Sequence, residues 1–82
     1  MIIGKVTGTV VSTRKNDMLV GFKLMLVQHI ENNQPVDKYL IAVDSVGAGI
    51  GETVIVATGS AARLALDKRE APVDATIVGI VD

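Results

Sequence analysis

The chain has 82 residues, 49% hydrophobic but only 2% aromatic, and its eight basic and nine acidic side chains give a net charge of −1. That balance offers no general attraction to nucleic acid or to an anionic membrane surface. With no cysteine and one histidine, disulfides, thiolate metal sites and His-rich metal centres are excluded.

Met1-Ile2-Ile3-Gly4-Lys5-Val6 lacks the charged-then-apolar layout of a signal peptide, and no run approaches membrane-spanning length. A soluble cytoplasmic protein is the expectation. Residues 2–12 predict a strand, because Lys5, Thr7 and Thr9 alternate with Val6, Gly8 and Val10. Gly8 within it signals a bend or a close backbone approach. Thr13 to Asp17 forms a polar turn. A second strand is predicted over 22–30, and its continuous run Leu24-Met25-Leu26-Val27 suggests burial on both faces. Glu31-Asn32-Asn33-Gln34-Pro35 is a turn, so the third strand, 36–44, makes a hairpin with the second.

Next comes the run Asp44-Ser45-Val46-Gly47-Ala48-Gly49-Ile50-Gly51-Glu52, with glycine at three alternate positions. A fourth strand follows over 52–58, ending at Gly59. Ser60 is placed to cap a short helix through Ala61-Ala62-Arg63-Leu64-Ala65-Leu66. Residues 67–72 form a charged connector, and 73–81 a fifth strand. Five short strands and one short helix in so small a chain predict an all-β, OB-like barrel, with an SH3-like barrel as the alternative. One domain over residues 1–82 is expected, without repeats or linkers. A domain of this size buries only about 60% of its unfolded surface. The surplus of Val, Ile, Leu and Ala therefore points to contacts between subunits.

The glycine run has few groups with which to do chemistry. It lacks the Gly-Lys-Ser/Thr ending of a P-loop, and Glu52 would repel phosphate. A tight turn with positive φ, or a close approach of backbone to another molecule, fits it better. His29 has no Ser or Cys nucleophile in a recognisable motif, and a strand-surface or interface role suits it better than that of a general base. Asp44, Asp74 and Asp82 border apolar strands, where capping and turn roles are ordinary. Arg14-Lys15 and Lys68-Arg69 are basic pairs, but Phe22 and Tyr39 alone make a poor stacking platform for single strands. Arg63 fits either an intersubunit ion pair or an exposed helix charge.

Five segments in order carry a family resemblance. They are Thr9-Val10-Val11-Ser12-Thr13, Lys23-Leu24-Met25-Leu26-Val27, the glycine run from Asp44 to Glu52, Gly59-Ser60-Ala61-Ala62-Arg63, and Pro72 to Asp82. Together they resemble the EutN/CcmL family of bacterial microcompartment shell proteins over essentially the whole chain. The resemblance implies an OB-like barrel that forms a cyclic homopentamer at the corners of a polyhedral shell, beside hexameric tiles. It implies no enzyme activity, no cofactor, and a place in the shell of a cytoplasmic compartment. Thr53 departs from the bulky aromatic that relatives often carry after the Glu. Many relatives also continue beyond the position of Asp82 into a short further segment.

A closed ring needs two different, complementary faces on each subunit. Val46, Gly47, Ala48, Gly49, Gly51 and Glu52 are therefore the candidate residues for the subunit boundary or the axial opening. Ser60, Arg63, Ile77, Val78, Gly79 and Ile80 are further interface candidates. The rival functions are an OB module for single-stranded nucleic acid, and a small enzyme using His29 with a carboxylate.

Overall fold

The alternating pattern at the start of the chain becomes β1 (Ile2–Val10), with Gly4 and Val6 buried and Lys5 and Thr7 exposed. It is followed by β2 (Leu24–Glu31), β3 (Gln34–Asp44), β4 (Thr53–Thr58) and β5 (Ala75–Ile80). In this computed structural model, which describes residues 1–82, the five strands close into a barrel in the order β1-β2-β3-β5-β4. Neighbours run antiparallel except β3 and β5, which are parallel and pair only at Val43–Thr76 and Asp44–Ile77. One short helix, α1 (Ser60–Ala65), bridges β4 and β5. No helix is long and apolar enough to cross a membrane.

Inside the barrel, Val6, Met25, Val27, Val54, Val56 and Ile77 are fully buried, with Ala42, Ala48 and Ala75 filling the gaps between them. Each such side chain larger than alanine contributes roughly 1.5–3 kcal/mol on burial. A second cluster lies outside the barrel wall. There Val43, Ala62, Ala71 and Val73 pack with Leu19, Phe22, Leu24 and Leu66. This cluster fastens α1 and the connector after it to β3. The one buried polar side chain, Thr76, is satisfied because its hydroxyl donates to the Ala62 carbonyl at 2.9 Å.

Several sequence expectations shift here. Burial of β2 on both faces does not hold: Met25 and Val27 point inward, while Leu24 and Leu26 are only half-buried. The bend expected at Gly8 appears as a register shift in the pairing of β1 with β2 between Val6 and Gly8. The close approach lies instead at Gly4, where a Cβ would sit 2.7 Å from the Gln28 carbonyl oxygen.

The hairpin loop is shorter than predicted. Asn32 and Asn33, at φ 53° and 63°, form it alone, and Pro35 lies within β3. Two positive φ values suit the twist of the strands they join, and asparagine tolerates them. Asp17–Leu19 forms a 3₁₀ turn, with the Asn16 side chain accepting from the Met18 N–H at 2.9 Å. Ser60 does not cap α1. Gly59, at φ 65°, holds the cap position, and Ser60 is the first helical residue, because the chain must reverse sharply after β4.

Candidate functional site

The loop joining β3 to β4 is held from both ends by carboxylates. Asp44 Oδ1 accepts from the backbone N–H groups of Val46 and Gly47, at 3.0 and 3.1 Å, and its Oδ2 accepts from Ala48 at 2.9 Å. Glu52 Oε1 accepts from the Gly49 N–H at 2.6 Å. Hydrogen bonds to an ionised acceptor are stronger than neutral ones, so four loop donors are satisfied without help from a ligand. The loop is also tied to its neighbours. The Gly51 N–H donates to the Val6 carbonyl at 2.8 Å, and the Ser45 hydroxyl donates to the Ile77 carbonyl at 2.6 Å.

Of the three glycines, Gly47 and Gly51 stand at φ 81° and 92°, where a Cβ is strained. Gly49 does not; a Cβ there would lie 3.2 Å from Glu52 Oε1 and push away the carboxylate that holds its N–H. The side chains divide sharply. Ala48 is 1% exposed and plugs the barrel, while Val46 and Ile50 project outward at 41% and 66% exposure. The loop therefore presents apolar side chains and bare backbone on a rigid frame, and its two carboxylates are already engaged.

The other sequence candidates separate in space. The side chains of Ala48 and Ile77 face the core and are not available to a neighbour. Val78 and Gly79 are half-exposed, and Ile80 is exposed at the end of β5. Ser60 is exposed, and Arg63 is half-buried with its Nη1 donating to the Val73 carbonyl at 3.2 Å. No ion pair within the chain involves Arg63. His29 sits half-buried in β2 opposite Gly4, without a hydrogen-bonded nucleophile or carboxylate. Asp74 and Asp82 flank opposite ends of β5, so the three aspartates do not converge. No cluster of His, Asp and Glu is arranged to hold a metal. Lys68 lies 5.2 Å from the Phe22 ring centroid, so that ring is covered rather than offered for stacking. Ile50, not among the residues singled out from the sequence, is the most exposed apolar side chain of the loop; its place between two glycines in a polar-poor run was its signal.

The family described as "Ethanolamine utilisation protein EutN/carboxysome" matches residues 1–82. The chain belongs to the EutN/CcmL family. It is 51% identical to the carboxysome shell vertex protein CcmL of Synechocystis sp. (strain ATCC 27184 / PCC 6803 / Kazusa), over all of this chain and 83% of that relative. Its fold superimposes on CcmL of Gloeobacter violaceus with a TM-score of 0.94 at 47% identity, covering 100% of this chain and 86% of the other. The pentameric microcompartment shell protein GrpN from Rhodospirillum rubrum matches with a TM-score of 0.91 at 48% identity, over 100% and 94% of the two chains. The expected membership in a family of microcompartment shell vertex proteins and the expected OB-like barrel are thus both met. Where relatives often carry an aromatic, Thr53 lies at the start of β4, and its carbonyl accepts from the Val81 N–H at 2.8 Å.

Proposed function

We propose that the chain assembles as a homopentamer that closes the corners of a bacterial microcompartment shell, meeting hexameric tiles around its rim. The whole-length match to shell vertex proteins carries this reading. The EutN/CcmL barrel over residues 1–82 acts as one domain, as a structural unit rather than an enzyme, with no cofactor and no nucleic-acid or membrane partner.

Five-fold closure demands that each subunit use two unlike faces. The loop of Val46, Gly47, Ala48, Gly49, Gly51 and Glu52, together with Ile50, supplies one of them. Its inner hydrogen bonds hold the backbone still, so little conformational freedom is lost when Val46 and Ile50 are covered. Preorganisation of this kind suits a part that must present the same shape five times around an axis.

Sedimentation velocity tests the reading directly, with a species of five subunits expected. Added to hexameric shell tiles, the chain should convert open sheets or tubes into closed polyhedral particles under the electron microscope. A chain that remains monomeric at every concentration, with and without tiles, would overturn the proposal.

A further inference from the structure

A second surface answers the loop described above. Between α1 and the connector after it lies a cleft lined by Ser60, Arg63, Leu64 and Arg69. Leu64 is 56% exposed there. Neither arginine is neutralised within the chain, because the only ion pair joins Lys38 to Glu31. Asp67 and Glu70, on the same connector, are exposed and form no ion pair with either guanidinium. Arg63 spends one Nη1 donor on the Val73 carbonyl, which fixes the direction of its fork and leaves its other donors free. The Ser60 hydroxyl, released from the capping role its sequence position suggested, has no hydrogen-bond partner in the chain.

The far end of β5 has the opposite character. Ile80 and Val81 are exposed, at 37% and 42%, and the exposed carboxylate of Asp82 follows them. The Val81 N–H is bonded to the Thr53 carbonyl, so this end is held beside the loop that carries Ile50. The cleft lies by the start of β5, where the Thr76 hydroxyl and the Val73 carbonyl bond to α1. The six residues of β5 separate the two places by roughly 20 Å, so Asp82 is out of reach of the cleft of its own chain.

We propose that Ile80-Val81-Asp82 of one copy docks in the Ser60–Arg63–Leu64–Arg69 cleft of the next, with the Asp82 carboxylate between the two guanidiniums and Val81 on Leu64. This rests on the ring reading above and names its joint. The match is one of charge and of apolar surface together, and it is head-to-tail. A head-to-tail contact generates a ring when its rotation closes. It also joins into one contact two groups of residues that lie apart in the sequence, Ser60 with Arg63 and the end of β5.

Native mass spectrometry over a dilution series, at low and high salt, tests the joint with four full-length chains: the parent, Arg69→Glu, Asp82→Arg, and the double variant. Both altered side chains are exposed and free of intramolecular bonds, and circular dichroism checks the barrel in each. Each single change is expected to raise the half-dissociation concentration of the ring at least about tenfold, since every joint loses its charge pair at once. The double variant recovers part of the assembly, because residue 69 again meets an opposite charge while Arg63 still faces the new cation. Leu64→Ser weakens the ring without the salt dependence. Single variants that assemble like the parent, or a double variant no better than the singles, overturn the joint while leaving the ring intact. A parent that stays monomeric beside hexameric tiles overturns the ring and the joint with it.

Discussion

Two of the barrel's long connections are built on different principles. Residues 45–52 cross from β3 to β4 with four backbone N–H groups bonded to carboxylates and one alanine sunk into the core. Residues 11–23 cross from β1 to β2 around a 3₁₀ turn; Leu19 and Phe22 pack on the outside of the wall, and the Lys23 carbonyl accepts from the Asp44 N–H at 2.9 Å. In the first, carboxylates gather the backbone N–H groups of the loop; in the second, apolar side chains are laid on the barrel surface over a short hydrogen-bonded turn. A loop fixed from within can leave its outer side chains bare for another molecule. A loop fixed by its side chains spends them on its own fold. This contrast explains why Val46 and Ile50 are good candidates for an assembly contact, whereas the basic pair Arg14-Lys15 is simply solvated.

The contrast is broken most severely at Asp44. Asp44→Ala leaves three N–H groups without their acceptor, and the expected loss is roughly 2–3 kcal/mol of stability, read as a lower midpoint in urea denaturation. Assembly should fail along with it. Next in size is Gly51→Ala. At φ 92° the added Cβ costs about 1–2 kcal/mol, which the same measurement detects. Ile50→Ser sharpens the comparison in another way: the thermal midpoint of the dissociated chain should hardly move, while sedimentation shows a weaker ring, because the side chain projects into solvent in the single subunit. The smallest effect belongs to the other connection. Arg14→Ala with Lys15→Ala should change stability by no more than about 0.5 kcal/mol and leave the ring unaltered.

Much of the barrel was legible along the chain. The alternation of Lys5, Thr7 and Thr9 with Val6, Gly8 and Val10 reports a strand with one wet face, and that is local information. The family motifs were equally plain, because their order along the chain is itself the signal. Other features depended on what each segment meets. Leu24-Met25-Leu26-Val27 reads as uniformly apolar, but only the tertiary fold decides that Leu24 serves a second cluster while Leu26 stays half-exposed. Ser60 has the chemistry of a helix cap, yet the sharp reversal after Thr58 hands that position to Gly59. Of the candidate site, the glycines and their flanking acids were visible as residue types. That Asp44 gathers three amides, and Glu52 a fourth, was not.

By itself the sequence determined the strand count, the short helix, the family and the place of the glycine loop, since periodicity, turn chemistry and motif order act over a few residues at a time. The tertiary structure alone decided which apolar side chains remain outside. Closing the barrel consumed one face of each strand and the polar groups of the loop. Val46, Ile50, Leu64 and Val81 were left exposed because their directions follow from closure, which no local stretch encodes.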